Sequence, residues 1–236
     1  MSDCAAARHQ AGFVELCGRI AAVGLAVRGA FHPQPHERDL GLPATLAVGT
    51  VVLVGFTGSL QWHAFAQSIE AHDALPHPLD RWSRRVIEPL ARDVGAQVFY
   101  PSGTPTLRFQ RLAARCEPVH ASPIGLSIHV RWGLWHAYRA ALVLRERIDV
   151  PAVAPTRHPC AACASKPCLS TCPVGAFSAD GFDIDACARH VRSASGADCR
   201  ERGCRARRAC PVGAAFRYVD DQARFHMAAF LASAAR

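Results

Sequence analysis

The chain has 236 residues, half of them hydrophobic and 19% charged, which excludes an intrinsically disordered protein and leaves room for one large domain or two smaller ones. Its net charge of +8 rests on 26 arginines and a single lysine, Lys166. Eleven cysteines, an odd number, follow a first stretch MSDCAAARHQ with no basic-then-apolar secretory pattern, so a disulfide framework is not expected. A reducing, cytoplasmic setting with metal-bound thiolates suits them better.

Taken in order, residues 11–24 place Phe13, Leu16, Cys17 and Ile20 at helical spacing, with Gly24 as a stop. Residues 25–31 read as a short strand and 32–43 as a proline-rich loop. Residues 45–56 are β-branched and uncharged, as in a central strand. Ser59 is a candidate N-cap for a helix with Trp62, Phe65 and Ile69 on one face. The segment from Gly41 to Ile69 carries no Asp, Glu, Lys or Arg, but Gly49, Gly55, Gly58, Gln61 and His63 interrupt it. We read it as strand, turn and helix rather than as a membrane span.

A helix over 77–95 follows, with Leu79, Trp82, Val86, Leu90 and Val94 as its apolar stripe and Pro89 inside it. Next come a strand at 97–101 and a helix from about 106 with Phe109, Leu112, Ala113 and Cys116 inward. Two strands, about 124–130 and 136–145, are joined by RWGLW. The alternation predicts a mixed α/β domain over 1–150. PAVAPTRHP, residues 151–159, reads as a linker. The cysteine-rich segment 160–220 reads as a small second domain, and 221–236 as a C-terminal tail.

The cysteines of that segment fall into two groups of four. Cys160, Cys163, Cys168 and Cys172 are spaced C-x2-C-x4-C-x3-C-P, two residues longer than the compact iron–sulfur run. Cys187, Cys199, Cys204 and Cys210 form the second group, and CPVGAF at 172–177 returns as CPVGAAF at 210–216. In two-cluster ferredoxins the cysteine before proline serves the other run's cluster. Applied here, Cys160, Cys163, Cys168 and Cys210 form one [4Fe–4S] site, and Cys172, Cys187, Cys199 and Cys204 the other. Zinc is the alternative, because Cys4 zinc sites also use C-x2-C pairs. Cys4, Cys17 and Cys116 are left as a terminal residue and two core positions. Two clusters at about −2 each would bring +8 to about +4. The arginines around the second group then offset cluster charge, dock an acidic electron donor, or form a solvated face. Aromatic residues are not interleaved with them, so no nucleic-acid partner is expected.

Upstream, SPIGLSIHVRWGLWHAYRAALVLRERIDVP (122–151) resembles the cobalamin-processing family whose loss causes methylmalonic aciduria with homocystinuria type C. The matching residues are Ile128, His129, Arg131, Trp132, Gly133, Trp135, Ala137 and Arg139, then Ile148, Val150 and Pro151. The family's glycine after the last arginine is Ala140 here. Residues 46–65 and 77–86 resemble that family more loosely. A corrinoid-binding domain of nitroreductase-like fold followed by two clusters is in turn similar to epoxyqueuosine reductase and the reductive dehalogenases. This chain is shorter than either, and it shows no counterpart of the acidic catalytic motif of epoxyqueuosine reductase, which argues against queuosine chemistry.

The resemblance implies an α/β, nitroreductase-like first domain that holds cobalamin, with or without a flavin, followed by a ferredoxin-like domain. It implies reduction of the corrinoid or removal of its upper ligand, as in a cobalamin reductase, decyanase or dealkylase. Electrons would come from a donor protein or a flavin reductase. His129, Trp132, Trp135 and Arg139 are the residues it offers for the cofactor. Each also has a plainer reading: a hydrogen-bonded strand histidine, two core aromatics, and an arginine paired with a carboxylate such as Asp149. A plain electron carrier and a cobalamin chaperone with structural clusters are the other functions the sequence allows.

Overall fold

The computed structural model describes residues 2–34, 36–178 and 181–234; the side chains of residues 2–11, Cys4 among them, and of Arg38 lie outside the described part. Along the chain run α1 (Ser2–Ala22), β1 (Ala26–Phe31), β2 (Thr50–Thr57), α2 (Trp62–Ala66), α3 (Pro78–Asp93), β3 (Gln97–Phe99), α4 (Phe109–Cys116), β4 (Val119–Ala121), β5 (Ser127–His129) and β6 (His136–Leu144). Beyond them lie α5 (Pro167–Ser170), β7 (Phe177–Ser178), β8 (Gly181–Phe182), α6 (Ile184–Arg192), α7 (Ala197–Arg202), α8 (Arg205–Arg208) and α9 (Asp220–Ser233). They form two compact units. One is Met1–Pro118 with Ala137–Pro155, and the other is Val119–His136 with Thr156–Arg236.

The first unit is built on a four-stranded sheet ordered β1-β2-β6-β3, in which β1–β2 and β3–β6 are antiparallel. All eight residues of β2 are buried, which is why its sequence is a continuous apolar run rather than an alternation. The strand begins at Thr50, later than expected, because residues 44–46 form a turn and Gly49 lies against the backbone of Arg145 and Glu146. Helix α3 starts on Pro78, which suits a first helical position, and buries Leu79, Trp82, Ile87 and Leu90. Ile87, not Val86, faces inward. Helix α4 buries Phe109, Leu112, Ala113 and Cys116, the four positions read from its periodicity. Helix α2 is short and capped at Gln61 rather than Ser59, and Ile69 lies beyond it, 73% exposed. No helix among the described residues is long and apolar enough to cross a membrane.

In the second unit, 124–130 is not one strand. Pro123 to Leu126 turn, and β4 pairs with β5 as an antiparallel hairpin. This hairpin and the RWGLW turn, expected as part of the α/β domain, fold with the cysteine-rich segment. The apolar core there is small. Ile124, Ile128, Leu134 and Ala206 are buried together with Cys168 and Cys210. Residues 221–233, expected as part of the tail, belong to the helix α9, whose Gln222 and Ala223 are buried.

Candidate metal centres

The first cysteine group is assembled by short, locally capped turns. The imidazole Nδ1 of His158 accepts the Cys160 backbone N–H at 3.1 Å. Lys166 takes a left-handed φ of 38°, turning the chain into α5, which carries Cys168 buried at its second position. The Thr171 hydroxyl closes that turn on the Pro167 carbonyl at 2.6 Å. Cys210 comes from the far end of the segment. Cys160, Cys163, Cys168 and Cys210 line one cavity, walled by Pro123, Ile128, Pro159, Pro167, Pro211 and Val212.

The second cavity is lined by Cys172, Cys187, Cys199 and Cys204 with Val174, Phe177, Val191 and Met227. The Ala176 N–H donates to the Cys172 sulfur at 3.3 Å. Both copies of the CPVG turn end on a left-handed glycine, Gly175 at φ 57° and Gly213 at φ 68°. The two copies thus share a left-handed glycine at the same place in the repeat.

The thiols of each cavity act on one another. Burial pushes the Cys160 thiol up, and its neighbours Cys210, Cys168 and Cys163 push it further. Burial raises Cys187 to about 11, helped by Cys204, Cys172 and Cys199. Clustered thiols resist ionisation without positive charge beside them, and a bound metal group supplies that charge. Among the described residues no group of three or more His, Cys, Asp or Glu side chains is arranged to hold a metal ion. The thiols ring their cavities instead. Four cysteines around a mostly apolar space fit the donor set of an iron–sulfur cluster.

Each of the four residues offered for a corrinoid or flavin has partners within its own unit. His129 is buried, and its Nδ1 accepts the backbone N–H groups of Arg131 at 2.9 Å and Trp132 at 3.1 Å. Trp132 meets Phe216 edge-on at 4.5 Å between ring centres, and Arg131 covers its face. Trp135 packs on Tyr218, and the Arg207 guanidinium lies 4.5 Å from the centres of both rings while donating to the Leu134 carbonyl. Arg139 belongs to the first unit, where it pairs with Asp80 and donates to the Ser83 hydroxyl; its partner is not Asp149. A Cβ on Gly133 would lie 1.9 Å from the Val212 carbonyl oxygen, and one on Gly213 would lie 2.4 Å from Trp132. The RWGLW turn thus grips the second CPVGAAF copy, backbone against backbone. Sequence reasoning missed this role, although Gly133 between two tryptophans was its visible trace.

Fold and cavities together define a class: an α/β unit joined to a cysteine-rich unit with two four-thiol cavities. No known protein family matches the sequence, and no curated protein matches it. Among solved structures, selenomethionine-labelled epoxyqueuosine reductase is similar over 92% of this chain and 69% of its own, with a TM-score of 0.52 and 13% identity. Epoxyqueuosine reductase with an epoxyqueuosine-modified tRNA-Tyr stem loop follows at 0.48 and 13%, over 89% of this chain and 68% of its own. The enzyme from Bacillus subtilis gives 0.47 and 14%, over 89% and 67%. At such identity the first likeness shows a shared fold.

Proposed function

We propose that this chain is an iron–sulfur redox protein carrying two [4Fe–4S] clusters. One is held by Cys160, Cys163, Cys168 and Cys210, and the other by Cys172, Cys187, Cys199 and Cys204. The observation that carries this reading is that each cavity is lined by three cysteines of one run and the proline-flanked cysteine of the other. When bound, such clusters supply one-electron redox chemistry at a potential set by charge, hydrogen bonding and exposure. The chain's own part is to hold the thiolates, donate the Ala176 N–H to Cys172, and keep water back with Ile128, Val212 and the flanking prolines. The second unit is ferredoxin-like in this reading.

The electron acceptor in this proposal is a corrinoid held by a nitroreductase-like first unit, reduced there or stripped of its upper ligand. A donor protein or a flavin reductase supplies the electrons, in a reducing cytoplasm. The fold shared with epoxyqueuosine reductase and the resemblance of residues 122–151 to the cobalamin-processing family support it. A second reading, an electron carrier without corrinoid chemistry, is favoured by the packing of His129, Trp132 and Trp135 on residues of the second unit.

Anaerobic reconstitution with iron and sulfide tests the clusters: about eight irons per chain and [4Fe–4S] spin-resonance signals are expected. One zinc and no iron would sink the proposal. Titration with cyanocobalamin then separates the readings. A base-off spectral shift with loss of cyanide on reduction supports corrinoid chemistry, binding without turnover supports a chaperone, and no binding leaves the carrier.

A further inference from the structure

Three guanidiniums share one carboxylate beside the second cysteine group. Asp198 directly precedes Cys199 near the start of α7. Its Oδ2 accepts from Arg208 and lies 3.7 Å from Nε of Arg205, while its Oδ1 lies 3.7 Å from Nη1 of Arg202. One carboxylate cannot neutralise three cations, so surplus positive charge is fixed at this point. Arg208 is tethered a second time, by its Nε to the Gly203 carbonyl next to Cys204. Arg205 itself lines the cavity of Cys172, Cys187, Cys199 and Cys204. The other cavity has a different cation in its wall, Lys166.

A cation held against a cluster stabilises the extra electron, so it raises the reduction potential, and its reach is limited to about 8–10 Å by salt.

Resting on the two-cluster reading, we infer that the two cysteine groups are tuned by separate cations. Arg205 and Arg208, organised on Asp198, set how readily the group held by Cys172, Cys187, Cys199 and Cys204 takes an electron. Lys166 does the same for the group held by Cys160, Cys163, Cys168 and Cys210.

The test is a redox titration of the anaerobically reconstituted full chain, followed by spin resonance, for the unaltered protein and for Arg205→Gln, Arg208→Gln and Lys166→Gln. Arg205→Gln and Arg208→Gln are expected to move one midpoint to lower potential and leave the other in place. Lys166→Gln is expected to move the other midpoint down and leave the first. If the midpoints coincide in the unaltered protein, each substitution must split them. Arg205 and Lys166 are exposed, so these two variants keep the test independent of the tighter Arg208 pair. Midpoints that do not move, or that move together in every variant, overturn the inference while the clusters stand. Absence of iron from the unaltered protein overturns the two-cluster reading itself.

Discussion

Gly133 and Gly213 sit where two stretches of backbone touch, and both have positive φ, 58° and 68°. Replacing Gly133 by alanine forces a left-handed alanine and drives its Cβ into the Val212 carbonyl. The expected cost is on the order of 3 kcal/mol, seen as a lower denaturation midpoint together with reduced iron uptake. Removal of single thiols reports the crossing. Cys210→Ser is expected to cost the same cluster signal as Cys160→Ser, and Cys172→Ser the same as Cys187→Ser, each variant retaining about half the iron. If Cys172→Ser instead shares its lost signal with Cys160→Ser, the groups are not crossed. At this scale the echo of CPVGAF was legible in the sequence, because it is a literal repeat of residues. The engagement of Trp132, Trp135 and Arg139 was not legible, since an aromatic or an arginine looks the same whether its partner is a cofactor, Phe216, Tyr218 or Asp80.

Among the elements of the first unit, β1 departs from regular pairing. Its register against β2 shifts between Val27 and Gly29, leaving Arg28 as the extra residue, and its guanidinium reaches Glu117 at 2.9 Å, just beyond α4. Tyr138 on β6 donates to the same carboxylate oxygen at 3.2 Å, so one buried carboxylate ties α4 to two strands. The side chains of Arg28 and Glu117 are 2% and 1% exposed. Burial raises the Glu117 carboxyl even against the pull of Arg28. Glu117→Gln removes the buried negative charge that the Arg28 guanidinium faces, and urea denaturation is expected to show a loss of about 3 kcal/mol. Tyr138→Phe removes one hydrogen bond and is expected to cost about 1 kcal/mol. Glu70 is the opposite case. Its hydrogen bonds with Arg85 hold its carboxyl down to about 2 from 4.5. A lowered carboxyl stabilises the fold above its unfolded value, and that contribution disappears as pH falls from 4.5 towards 2. Arg85→Gln is expected to flatten the decline in stability over that range, measured by urea denaturation at stepped pH. Periodicity revealed α3 and α4 because each buries one face. It misplaced β4 and β5 because apolar residues on either side of Pro123 and Gly125 look continuous until the turn between them is known.

Charge and core are divided unequally over the whole molecule. The second unit holds 13 of the basic residues and 7 of the acidic ones, so +6 of the net +8 belongs to it. Its apolar core is divided: Ile124, Ile128, Leu134 and Ala206 are completed by cysteine sulfurs, and Trp135, Tyr218 and Ala223 form a separate small cluster. The first unit buries the whole of β2 and the last five residues of β6. A small core of that kind gains much of its stability from a bound metal group, which neutralises clustered thiolates and cross-links distant segments. Removal of iron by a chelator is therefore expected to act locally. Hydrogen exchange followed by mass spectrometry should show amides of α6, α7 and α8 losing protection by tenfold or more, about 1.4 kcal/mol of local stability, while those of β2 and of residues 140–144 stay protected. Equal loss in both units would mean that the apolar sheet, too, depends on the metal. Unchanged protection in α6 to α8 would mean that Ile124, Ile128 and their neighbours suffice, and that the thiols contribute chemistry without holding the unit together.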